Sequence, residues 1–184
     1  MKKNSVKRFF QNILLAIELI IYIAYLHFDK VLFIAIIVLD QYTKFLVTSS
    51  MQVSDTIPII PNIFHITYVE NPCAAFGILP YRQPFFIGMG TVILAIAAMF
   101  YARFGKNMNK LTKYAGITAT AGALANMIDR INTGYVTDLF DMRIFKFPVF
   151  NVADIAIVIG MFIMMYVVMF PLERINAVEE VRQP

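Results

Sequence analysis

The stretch "GYVTDLFDMRIFKFPVFNVADIAIVIG", residues 134–160, sets Asp138, Asp141 and Asp154 against a long apolar run. Charged groups in or beside a membrane segment are expensive and tend to be functional. The run continues to residue 171 as "VADIAIVIGMFIMMYVVMFP" (152–171), long enough to cross a bilayer as a helix. The whole chain shares this character. Its 184 residues suit one domain, but 59% are hydrophobic and 15% charged, against roughly 45–50% and about 25% in ordinary globular domains. This is the composition of an integral membrane protein.

Three further segments have the length and apolarity to span: 31–47, 84–104 and 111–128, the last weaker in hydropathy but rich in small residues. Between the first two, "TIPIIPNIFHITYVENPCAAFGIL" carries prolines and the β-formers Ile66, Thr67, Tyr68 and Val69, which predict short strands. The expected fold is therefore mostly α, four transmembrane helices with a small sheet outside the membrane.

Basic residues set the expected orientation. Arg103, Lys106, Lys110 and Lys113 surround the second connection, Arg174 and Arg182 lie in the tail, and Lys30 precedes the first span. The 49–83 connection offers only Arg82. By the positive-inside rule both termini and the 105–110 loop are cytoplasmic. The 49–83 and 129–151 loops are then outside, with Asp55, Glu70, Asp129, Asp138, Asp141 and Asp154, and Asp40 near that end of its span. The N-terminal extension, residues 1–30, has the charged and apolar regions of a signal peptide but no A-x-A-like cleavage site. Asn4, Arg8, Gln11, Glu18, Tyr22, Tyr25 and Asp29 form one polar stripe, which predicts an interfacial helix in preference to a fifth span. Residues 31–184 then form a single membrane domain.

Several chemistries are excluded or weak. A net charge of +4 is too small to point to nucleic acid. One cysteine, Cys73, forbids an internal disulfide and a cysteine-rich metal site. His27 and His65 make no zinc-binding cluster, and no metal or cofactor is expected. His65 with Cys73 has nothing to fix it as a nucleophilic pair, and a small buried cysteine is the plainer reading.

The acids carry more. Asn151 is a good N-cap for the last span and makes Asp154 the third residue of a capping-box start. Asp138 follows the third helix, so the two acids can face each other at the outer end of the bundle. Two carboxylates sharing a desolvated site hold one proton between them. One then activates water while the other protonates a carbonyl, with Asp154 as base because a helix N-terminus favours its charge. Ala115, Ala119, Gly122 and Asn126 recur at helical spacing, continued by Asp129 or Arg130; the small ones predict close helix packing. Asp40 and Lys44 form an i, i+4 pair, expected to be a structural ion pair.

The blocks "LDQYTK" (39–44), "ENPCAAFGIL" (70–79), "GALANMIDR" (122–130), "GYVTDLF" (134–140) and "FPVFNVADIAIVIG" (147–160) together resemble those of bacterial lipoprotein signal peptidase, or signal peptidase II. They stand in that family's order over residues 31–165. The resemblance implies a four-span membrane aspartyl peptidase of the cell membrane with an extracytoplasmic β-sheet cradle. It implies prolipoprotein substrates, cut just before a diacylglyceryl-cysteine, and contact with membrane lipid. It matches Asp138 and Asp154 to the catalytic pair and Asn71, Gly122, Asn126, Arg130 and Asn151 to the substrate-binding positions. Asp40 and Lys44 match the supporting acid and base, while Asp141 is left as a solvated loop acid. A monomer is expected. The chain departs from the pattern at Cys73 and Ala125, where the family has glycine, and residues 1–30 have no counterpart. The alternative is a small ion-coupled transporter that uses these acids as a charge relay, but such a relay calls for acids near the midplane.

Overall fold

A computed structural model of the chain describes residues 27–72, 83–145 and 147–170, together with Ile13. Cys73 and almost all of the expected interfacial helix lie outside the described residues. Four helices stand where the apolar segments predict them: α1 (Phe28–Ser50), α2 (Gln83–Phe104), α3 (Lys110–Asn132) and α4 (Val152–Met169). Helices α1, α2 and α4 are long and apolar enough to cross a membrane. Helix α3, with 23 residues, is about 35 Å long, but its Thr, Asn, Lys and Asp content makes it the least apolar. It is also the central one, carrying eight buried residues where α2 carries only Phe86.

The ends of the helices have local causes. Asn109 opens α3 by accepting a hydrogen bond from the Thr112 N–H. Asn151 opens α4 with a reciprocal capping box: its side chain accepts from the Asp154 N–H, and the Asp154 carboxylate accepts from the Asn151 N–H. Helices α3 and α4 approach closely because glycine lies on both sides of the contact. A Cβ on Gly122 would collide with the Ala153 carbonyl, and one on Gly160 would lie 2.5 Å from the Ala115 carbonyl. The small-residue stripe therefore packs helices, as its spacing predicts.

Strands β1 (Thr56–Ile60), β2 (Phe64–Asn71) and β3 (Val136–Met142) form an antiparallel sheet in the order β1-β2-β3. Asn62, at φ 61, takes the left-handed conformation that turns β1 into β2. Pairing of β2 with β3 sets Val69 opposite Asp138 and brings the α1–α2 and α3–α4 connections to the same end of the bundle. Here the sequence reading needs correcting. Residues 129–151 are not simply a loop, since 136–142 form a strand whose partner lies far away in sequence. Asp141 is accordingly no solvated loop acid: its carboxylate accepts from Thr67 Oγ1 at 2.8 Å and Arg143 Nε at 3.0 Å.

The interior mixes polar and small apolar groups. Among the described residues the largest fully buried side chains are Asn151 and Asp40, and Lys44, Asn126, Asp129 and Asp138 are buried alongside Ala121, Ala125, Leu139 and Ala153. Large apolar side chains such as Phe45, Met99, Phe162 and Val168 are exposed. That exposure suits a chain whose solvent is lipid.

Candidate active site

Asp138 and Asp154 reach the site on different elements. Asp138 projects from β3, and Asp141, three residues on, falls on the opposite face because strand side chains alternate. Asp154 stands in the first turn of α4. Both line a cavity of about 480 Å³, together with Asn71, Asn126 and Arg130. Phe147, Phe150, Ile155 and Val158 complete its apolar wall. A larger trough of about 680 Å³, between α1, α2 and α3 beside the Asp29–Lys113 ion pair, contains none of these groups. The acids, not cavity size, distinguish the first.

Three asparagines hold the pair. Asn71 Nδ2 donates to Asp138 Oδ2 at 2.9 Å and Asn151 Nδ2 to Asp138 Oδ1 at 2.7 Å. Asn126 Nδ2 donates to Asp154 Oδ1 at 2.8 Å, and the Asn151 N–H to Asp154 Oδ2 at 3.2 Å. Burial pushes the Asp138 carboxyl up to about 7, and the neighbouring Asp154 charge adds to the effect, while Asn71 and Asn151 oppose it. A carboxyl poised near neutrality is what proton transfer at ordinary pH requires. Asp154 thus serves both as a helix-capping acid and as a wall of the cavity.

The remaining expected residues fall in two groups. Asn71, Asn126, Arg130 and Asn151 surround the pair; Arg130 Nη1 donates to the Asn126 carbonyl at 3.2 Å, and its guanidinium lies 5.5 Å from the centre of the Phe86 ring. Gly122 is not among the residues lining either of these two cavities, and it admits α4 against α3. Asp40 and Lys44 pair at 2.8 Å, fully buried behind the site. His65 lies in the sheet, its Nδ1 3.2 Å from Thr56 Oγ1. Among the described residues no cluster could hold a metal ion.

Two contacts were not foreseen from the sequence, the partner of Asp129 and the role of Gln41. Asp129 meets Lys44 at 2.6 Å, and Gln41 Nε2 donates to Asp129 Oδ1 at 2.7 Å. Helical spacing left Asp129 and Arg130 as alternatives for one face. Both are used: Asp129 turns toward α1 and Arg130 toward the cavity.

A family model described as signal peptidase (SPase) II matches residues 32–170. The chain belongs to the signal peptidase II family. Its relatives include the lipoprotein signal peptidase of Halothermothrix orenii, 46% identical over 68% of this chain and 83% of the relative. That of Moorella thermoacetica is 38% identical over 81% and 94%. A solved bacterial membrane enzyme, determined by the in meso method at 2.3 Å, superposes with a TM-score of 0.72, 33% identity and coverage of 77% of this chain and 87% of that one. Membership of signal peptidase II makes the chain a hydrolase of peptide bonds and gives no support to the transporter alternative. The match ends at residue 170 and begins after the extension, so the described helices and sheet are the signal peptidase II part of the chain.

Proposed function

We propose that this chain is a membrane-embedded aspartyl endopeptidase that removes the signal peptide of prolipoproteins, cutting just before the diacylglyceryl-cysteine, with Asp138 and Asp154 as the catalytic pair. The observation that carries the proposal is one cavity with two carboxyl groups on its wall, each held by asparagine donors. Asp154, charged at the α4 N-terminus, takes a proton from water as the water oxygen attacks the scissile carbonyl carbon. Asp138, protonated, gives its proton to the carbonyl oxygen. Collapse of the resulting diol returns a proton to Asp138, while the proton on Asp154 passes to the leaving nitrogen and the C–N bond breaks. Asn71, Asn126 and Asn151 orient the two acids, and Arg130 offers donors to a substrate carbonyl.

The cavity's apolar wall of Phe147, Phe150, Ile155 and Val158 suits a signal helix and acyl chains arriving from the lipid. With α3 as a fourth span the acids stand at the outer face, and both termini are cytoplasmic. Acyl chains already in a bilayer gain little by moving onto protein, so their part is to hold the peptide for attack.

The test uses purified protein in liposomes and a lipobox peptide, diacylated or with a free cysteine. The diacylated peptide is expected to be cut, the free-cysteine peptide far more slowly, and neither by Asp138→Asn or Asp154→Asn. Activity in either variant overturns the catalytic pair. Equal rates on the two peptides overturn lipid recognition.

A further inference from the structure

Lys44 lines no part of the cavity, yet it is 4% exposed and all three of its ammonium hydrogens have an oxygen. Those oxygens are Asp40 Oδ2 at 2.8 Å, Asp129 Oδ2 at 2.6 Å and Asn126 Oδ1 at 2.9 Å. An ordinary helical ion pair needs one acid. This lysine binds three groups from two helices.

The third contact has a directional consequence. An ammonium only donates, so the end of the Asn126 amide facing Lys44 has to be the carbonyl. The NH₂ end then faces Asp154, to which it donates at 2.8 Å. Asn151 Nδ2 donates to the same oxygen at a longer 3.2 Å, so with Lys44 absent the amide keeps only that weaker hold and the donor to Asp154 is less firmly placed.

The two acids on Lys44 also reach the backbone beside the catalytic pair. Asp40 Oδ1 accepts from the Ala153 N–H at 2.8 Å, next to Asp154. Asp129 Oδ2 accepts from the Thr137 N–H at 3.4 Å, next to Asp138. Each catalytic carboxyl is thereby tied, through the N–H of the residue before it, to an acid that grips the same ammonium.

We infer that Lys44 is a positioning residue for the cleavage reaction: it fixes which end of the Asn126 amide faces Asp154 and, through Asp40 and Asp129, links the two backbone segments that carry the pair. The inference rests on Asp138 and Asp154 being the catalytic pair. Lys44 acts without touching substrate, so its removal lowers turnover and leaves substrate affinity nearly unchanged.

A double-mutant cycle tests this in liposomes with the diacylated lipobox peptide, reading kcat and KM for wild type, Lys44→Met, Asn126→Ala and the double variant, with thermal unfolding to confirm the fold. Lys44→Met is expected to lower kcat about 100-fold, as misplacement near a reacting centre does. The double variant is expected to lose far less than the product of the two single losses, because much of the lysine's effect runs through that amide. A double loss equal to the product of the single losses, or a loss confined to KM, overturns the inference. Because Lys44→Met strands two buried carboxylates, the cycle is repeated with Asp40→Asn, Lys44→Met and Asp129→Asn combined, which leaves no charge in the cluster. A folded triple variant with wild-type kcat also overturns it. A wild-type protein that leaves the peptide uncut overturns the peptidase reading and this inference with it; an active wild type with multiplicative losses overturns only the inference.

Discussion

Asp138 binds its proton more tightly in the folded protein than an unfolded chain would, since burial and then the Asp154 charge raise its carboxyl to about 7 from an ordinary 3.8. The sign follows from linkage: between about pH 4 and about pH 7 the native state holds a proton that the unfolded state has released. This group's contribution to stability is therefore present at low pH and is lost as pH rises through that window. If the protonated form is the acid in cleavage, kcat falls as pH climbs through about 7. A pH–rate profile on the diacylated peptide checks this, and a rate that holds level well above neutrality removes Asp138 as the acid. The same argument predicts that Asp138→Asn unfolds no more easily than wild type at alkaline pH, because a neutral amide is buried in place of a charge. Asp141 behaves oppositely. Burial raises its carboxyl, but Thr67 and Arg143 outweigh that and hold it below the ordinary value. Asp141→Asn is expected to keep most of the cleavage activity, and a dead variant would mean that the wrong acid of the strand had been assigned.

Elements, not residues, set how closely α3 and α4 approach, and glycine makes that distance possible. Gly160→Val brings a Cβ against the Ala115 carbonyl and the Ala119 backbone, which no side-chain rotation relieves. A lower unfolding temperature together with lost cleavage is expected, since α4 carries Asp154. Gly88→Ala in α2 is the matching control: its Cβ meets nothing within 4 Å, and replacing glycine inside a helix is neutral or slightly stabilising. Equal losses in both variants would show that glycine acts through the backbone alone. This packing was legible in the sequence because spacing on one helix is a local property. So were the four apolar segments, the Asn151 cap and the strand through Ile66–Val69. Strand β3 was not. Val136–Met142 becomes a strand by pairing with β2 some seventy residues away, and no short window contains its partner. The partner of Asp129 was hidden for a related reason: spacing places that acid beside Arg130, but only the position of α1 gives it Lys44 to bind.

Across the whole molecule, both sheet-forming connections lie at one end of the helices and the basic loop 105–110 at the other. Cysteines placed at Asn107 and Gln52, both exposed positions, test which end is outside, in a Cys73→Ala background. Labelling of intact cells with an impermeant thiol reagent is expected at Gln52 and not at Asn107. The reverse pattern would put the carboxylates in the cytoplasm. The manner in which α2 is attached has a separate consequence. Near its C-terminal end the Tyr101 hydroxyl donates to the Lys113 carbonyl at 2.6 Å. Towards its N-terminal end its one buried side chain is Phe86, the ring beneath Arg130. Helix α2 is thus held to α3 near one end by Tyr101 and near the other by the Phe86 ring on Arg130, where Gln83 Nε2 also donates to the Pro72 carbonyl at 3.2 Å. That ring lies outside the cavity yet packs on a cation that lines it, so any displacement of Phe86 bears on Arg130 and on the shape of the cavity wall.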